Sequence, residues 1–233
     1  MADSQSQKIV ERSREIALYS STAGLLAWDQ ETYAPRRAVN YRAEQLAFLR
    51  GQAHRLFTAP DVGAWISQAE DSGLAEGDSL EAANLRGWRW EYDRATKLPA
   101  EFVEESARVS SLAKDAWVGA READDFQAFQ PHLEKVVDLA RRRADYYGFS
   151  NLRYDALLET YERGANTETV GKLFDDLKPQ LAEIGSAAAN RSLETPPDLL
   201  AGDYPTASQA ALNREVAEAF GFDFEAGRID TTT

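Results

Sequence analysis

The chain has 233 residues, 43% of them hydrophobic and 28% charged, a balance that describes a folded chain with enough material for a core. Its 39 acidic residues outnumber 26 lysines and arginines, and the resulting charge of −13 repels nucleic acid and anionic membranes alike. There is no cysteine, which excludes disulfides, thiolate nucleophiles and cysteine metal sites. The polar opening MADSQSQKIVERSREIA has no apolar signal core, and no apolar run reaches the ~20 residues of a membrane span. The expectation is a cytoplasmic protein with neither nucleic acid nor membrane as partner.

Apolar periodicity predicts a first helix from Gln5 to about Thr32, carrying Ile9, Ile16, Leu25, Leu26 and Trp28. The weak helix formers Ser20, Ser21, Thr22 and Gly24 predict a bend or close packing in its middle. Pro35 forces a boundary, because it lacks an N–H and disfavours helix at Ala34. A second helix over residues 38–57 is expected to bury Leu46, Leu49, Ala53 and Leu56. Thr58, Pro60 and Asp61 start a short third helix with Val62, Trp65 and Ile66, which runs out in the polar loop EDSGLAEGD. Asp78 or Ser79 caps a fourth helix through Leu98 that holds Leu80, Leu85, Trp88 and Trp90. Trp88 and Trp90 are two residues apart and cannot share a face, so one must lie near a surface or an interface.

Pro99 takes the first position of a fifth helix whose apolar face is Phe102, Ser106, Val109, Ala113, Ala116 and Trp117. Asp124 and Asp125 sit where a helix N-terminus favours negative charge, and the sixth helix follows with Phe129, Leu133, Val136, Val137, Ala140 and Ala144. It ends at Tyr147 and Gly148, the latter a left-handed cap. Residues 151–161 form a short helix, and residues 164–166 a turn. Thr167 caps a long helix to about Ser192, with a kink or break at Pro179. A loop over 194–205 leads to Thr206, the cap of a last helix that stops at Gly221. From Phe222 to Thr233 the chain reads as extended, like a strand or hairpin arm. The predicted fold class is all-α: a multi-helix array of antiparallel helices in a single domain, residues 1–233, with a short extended segment at the C-terminus.

The chemistry is sparse. A helical zinc hydrolase needs two histidines one turn apart, a glutamate beside them and a third ligand. The two histidines here, His54 and His132, fall on different helices; the first is expected to pack or hydrogen-bond near a helix end, the second to be exposed. Asp29 with Glu31, or Asp155 with Glu159, would be the acid–base candidates, yet among 39 acidic residues such pairs arise by chance. Asp29 reads as a hydrogen-bond acceptor at a helix end beside Trp28. No nucleophile elbow, phosphate loop or dinucleotide fingerprint is present. The five tryptophans read as core. No residue is assigned a catalytic, cofactor-binding or metal-ligating role.

The stretch Leu25–Thr58 resembles the opening of the carboxypeptidase Taq family of zinc metallocarboxypeptidases, through Leu25, Leu26, Trp28, Asp29, Thr32, Pro35, Arg42, Ala43, Gln45, Leu46, Ala47, Leu49, His54 and Thr58. Ala34 stands where the family has methionine. The resemblance continues through Leu98, Pro99, Ser110, Trp117, Asp125, Phe126, Phe129 and Pro131, then YDALLETYERG (Tyr154–Gly164) and GFDFEAGRID (Gly221–Asp230). Arg163 replaces a family proline. The family's His-Pro-Phe, Asp-x-Arg-x-Thr and His-Glu-x-x-His motifs do not occur in these 233 residues, so no catalytic or metal-binding residue carries over.

What the resemblance implies is the N-terminal helical part of a zinc-dependent metallocarboxypeptidase, an enzyme that removes C-terminal residues from peptides. Zinc, or cobalt, is expected only in the full-length enzyme, and this chain alone is expected to be inactive. The region would wall a substrate groove and help shape a homodimer. The alternative is a stand-alone helical interaction or dimerisation module without peptidase activity.

Overall fold

The computed structural model describes residues 2–190 and 201–230. The elements are α1 (Ala2–Thr32), α2 (Val39–Phe57), α3 (Pro60–Asp71), α4 (Leu80–Ala95), α5 (Ala100–Glu122), α6 (Phe126–Tyr147), α7 (Arg153–Leu158), α8 (Thr167–Ala189) and α9 (Thr206–Ala219), with one 3-10 turn at Arg36–Ala38. No strand occurs among the described residues, so the fold is all-α. Two compact units divide the chain, Met1–Thr167 and Glu168–Thr233.

In the first unit α2 lies against both α1 and α5, α6 packs on the other helix of that pair, α5, and α3 joins α1 to α4. Side-chain pairs give the directions. Arg12 of α1 donates to the Leu56 carbonyl, while Arg42 of α2 donates to that of Leu26. His54 meets Leu98 and Arg108 meets Glu44, so α2 and α5 run opposite ways. Arg142 with Glu105, and Tyr146 with Phe102, do the same for α5 and α6. The array is antiparallel, as short connections between consecutive helices require.

Local chemistry sets most of the ends. The Ser79 hydroxyl accepts from the Ala82 amide, and the Asp125 carboxylate from the Ala128 amide, each satisfying a donor that the first helical turn leaves free. Pro60 occupies the first turn of α3, but Ala59 is the residue before it; the Thr58 hydroxyl instead donates back to His54 at the end of α2. Pro99 and Pro205 each precede their helices rather than open or follow the start. Gly148 closes α6 at φ 78°, the positive value that favours glycine, though its ψ of 150° is extended rather than helical.

Through Ser20–Gly24, where a bend or close packing was expected, α1 continues unbroken, with the Ser21 and Thr22 hydroxyls donating to the Leu18 carbonyl inside the helix. Gly24 itself faces open space, while its neighbour Ala23 is buried. Pro179 does not break α8 either; a long helix absorbs one missing N–H bond when its neighbours keep theirs. The expected end of that helix at Ser192 and the loop to residue 200 lie outside the described residues. The segment after α9 is in part a turn, with the Ala226 and Gly227 amides on the Asp223 carbonyl and the Phe222 and Phe224 rings edge to face at 4.8 Å. Residues 227–230 follow with neither helix nor strand, and 231–233 lie outside the described residues.

One core cluster joins Ile9 of α1, Val62, Ile66 and Ala69 of α3 and Leu85 of α4, with Trp65, Trp88 and Tyr92 packed around it. Gly63 lets α4 approach, since a Cβ there would meet the Tyr92 ring. A second buried face runs along α2 as Ala43, Leu46, Ala47 and Gly51. It differs from the expected Leu46, Leu49, Ala53 and Leu56, of which Leu46 alone is fully buried. Ile66 is fully buried. Ile66→Ala is therefore expected to cost about 2–5 kcal/mol in urea unfolding; a cost below about 1 kcal/mol contradicts this packing.

Candidate functional site

The corner between α1 and α2 is built from the chain's most distinctive residues. The amides of Tyr33 and Ala34 donate to the Asp29 carbonyl and close the end of α1. Arg42 reaches back from α2, placing one Nη on the Leu26 carbonyl at 2.8 Å and the other on the Asp29 carboxylate at 2.7 Å. Gln30 ties the corner to α5 twice: its Nε2 donates to the Ser111 carbonyl, and the Ser111 hydroxyl donates to its Oε1. Glu31 pairs with Lys114 at 3.3 Å. Trp28 and Tyr33 meet edge to face at 5.6 Å. Asp29 and Glu31 are thus each committed to a cation, and the arrangement is a clamp rather than an acid–base pair.

The second carboxylate pair is committed as well. The Asp155 carboxylate accepts from the Thr167 amide at 2.8 Å, and that bond, with the Thr167 hydroxyl, holds its pKa below the usual value. Glu159 accepts from the Gly164 amide at 2.9 Å and from the Trp90 indole at 3.4 Å. Trp90 therefore faces α7 while Trp88 packs on the core, which resolves the two-residue spacing. Arg94 lies 5.1 Å from the Trp90 ring and 3.9 Å from that of Tyr147. Arg163 adds a further cation 5.0 Å from Trp90.

His54 donates from Nε2 to the Leu98 carbonyl at 2.8 Å, near the end of α2. Burial pushes its pKa below 6.5, against the smaller pull of that carbonyl, so the ring is neutral and carries its proton on Nε2. His132, expected to be exposed, is half-buried on α6. Among the described residues no group of three or more histidines, aspartates and glutamates is placed to hold a metal ion. His54 and His132 lie on different helices, α2 and α6, with no such group formed around either, so the described residues do not fit a zinc held by two histidines and a glutamate.

One further feature lies outside the expectations drawn from the sequence. A crevice of about 280 Å³ opens where α5 turns into α6, lined by Trp117, Arg121, Asp124, Asp125, Phe126 and Phe129. Trp117, expected on the buried face of α5, is 42% exposed, with the Arg121 guanidinium 5.7 Å from its ring. Asp124 takes a positive φ of 53° at the lip. The available signal was the grouping of Trp117, Phe126 and Phe129 around an acidic turn. The rings of Trp117, Phe126 and Phe129 give the crevice an apolar lining, and the Asp125 carboxylate at its edge is engaged by the Ala128 amide as the cap of α6.

An all-helical antiparallel array with a clamped first corner defines a structural class, and comparison with known proteins gives the family. The model of the carboxypeptidase Taq (M32) metallopeptidases matches residues 8–233. The chain belongs to this family. Thermostable carboxypeptidase 1 of Thermus thermophilus is 33% identical over 237 residues, which is 97% of this chain and 46% of that enzyme. The Pyrococcus furiosus enzyme of the same name is 32% identical over 178 residues, 76% of this chain and 35% of its own length. The solved M32 carboxypeptidase from Deinococcus radiodurans superimposes with a TM-score of 0.70 at 30% identity, covering 98% of this chain and 46% of that one. The chain therefore spans about half the length, or less, of the curated relatives it matches, and the match is to an N-terminal portion.

Two expectations follow from the clamp and from His54. Arg42→Ala leaves a half-buried carboxylate and a carbonyl without their cation, and is expected to cost about 2 kcal/mol in chemical unfolding. His54 has a folded pKa below its unfolded 6.5, so its contribution to stability is full above pH 6.5 and is lost as pH falls through the folded value. Unfolding curves from pH 8 to pH 5 should show this decline, and His54→Gln should remove it. A decline of equal size in the variant assigns the effect to other groups.

Proposed function

We propose that this chain is the N-terminal helical part of a zinc-dependent metallocarboxypeptidase, an enzyme that removes C-terminal residues from peptides. The observation that carries this reading is the family match over residues 8–233, set beside a coverage of 46% of the Thermus thermophilus relative. The zinc ligands and the catalytic base would belong to the part of the enzyme that has no counterpart in these residues. The chain's own contribution is a rigid helical wall: Arg42, Asp29, Gln30 and Ser111 fix the first corner against α5. By this reading the 233-residue chain alone has no peptidase activity, is cytoplasmic, and forms a homodimer. Among the described residues no helix is long and apolar enough to cross a membrane.

The 233-residue protein, with zinc or cobalt added, is expected to release no C-terminal residue from a peptide. Release by protein of confirmed intact mass overturns the assignment of catalysis to the absent part. A second reading, a stand-alone helical interaction module, draws support from the exposed apolar side chains of α8. Molar mass in solution bears on both, since a strict monomer contradicts the proposed dimer.

A further inference from the structure

The turn that follows α7 is fastened by side chains of α4. The Tyr161 and Glu162 amides donate to the Leu158 carbonyl, and the Ala165 amide then donates to the Glu162 carbonyl. Gly164 takes a φ of 83° and Arg163 a negative one, so residues 162–165 follow the pattern of a type II turn with Arg163 at its second position. Glu159 joins this turn to α4: one carboxylate oxygen accepts from the Gly164 amide at 2.9 Å, the other from the Trp90 indole at 3.4 Å. Arg94 and Arg163 both lie about 5 Å from the Trp90 ring, at 5.1 and 5.0 Å. Arg94 is also anchored on the Thr160 hydroxyl, whereas the exposed Arg163 has the ring as its partner among the described residues. Three residues after Gly164 comes Thr167, where the first compact unit ends.

We propose that the Arg163 guanidinium on the Trp90 ring is a releasable latch. Closed, it holds the 162–165 turn against α4 and keeps the Gly164 amide on Glu159; open, it frees the turn just before the chain leaves the first unit. A cation on a ring at an exposed site shifts such an equilibrium only a few-fold, so the contact opens readily. The turn has a permanent alternative. Proline suits the second position of a type II turn, and no hydrogen bond uses the Arg163 amide that proline would remove. Arginine leaves the backbone unfixed and transfers control of the turn to a side-chain contact.

The test is amide hydrogen exchange in the full chain, read by NMR as protection of Gly164. Arg163→Gln keeps the length of the side chain and removes its charge; it should lower that protection about two- to fivefold and leave the amides of α2 unchanged. Arg163→Lys, which retains a cation, and Arg163→Pro, which presets the turn, should each protect Gly164 better than Arg163→Gln does. In a Trp90→Leu background, Arg163→Gln should cause no further loss. Unchanged protection in Arg163→Gln overturns the latch, as does Arg163→Lys behaving like Arg163→Gln. An undiminished effect of Arg163→Gln without the Trp90 ring overturns it as well.

Discussion

The first unit depends on the close approach of α2 and α5. Ala43, Ala47 and Gly51 recur every four residues on α2, all buried, and a side chain at Gly51 would run into Glu104 of α5. Alanine and glycine at these positions let two backbones come together where leucine would hold them apart. Ion pairs flank the seam: Arg108 with Glu44 and Arg55 with Glu104, the latter at 2.6 Å. These exposed pairs set register more than they add stability. Once α2 and α5 are joined, α1 and α6 each have a surface to lie on, and α3 and α4 close over Ile9.

The same seam explains how the corner is tied down. Arg42 lies beside Ala43 on α2, and from there its two Nη groups catch a carbonyl and a carboxylate at the end of α1. Gln30 and Ser111 then lock that end to α5. Carboxylates that might have served chemistry are consumed in this bracing.

Unit 2 follows different physics. Its helices have clear apolar stripes and no buried residue, so their pattern satisfies helix formation but not burial.

The sequence alone determined the all-α class, the number and order of the main helices, the boundary at Pro35, a cap at Asp78 or Ser79, the acidic start of α6 at Asp124 and Asp125, and the family to which Leu25–Thr58 points. These are local or pattern signals, carried by helical spacing, proline geometry and side-chain oxygens near free amides. Tertiary structure decided which faces are buried. Large apolar residues such as Leu49 and Leu56 marked the expected face of α2, whereas the small Ala43, Ala47 and Gly51 mark the helix contact, because close approach selects small side chains rather than hydrophobic ones. It also decided the partners of Asp29, Glu31, Asp155, Glu159 and His54, whose bonds to Arg42, Lys114, Thr167, Trp90 and Leu98 join residues that only folding brings together. Spacing along a chain fixes a helix; the identity of what lies across from it is a property of the packed array.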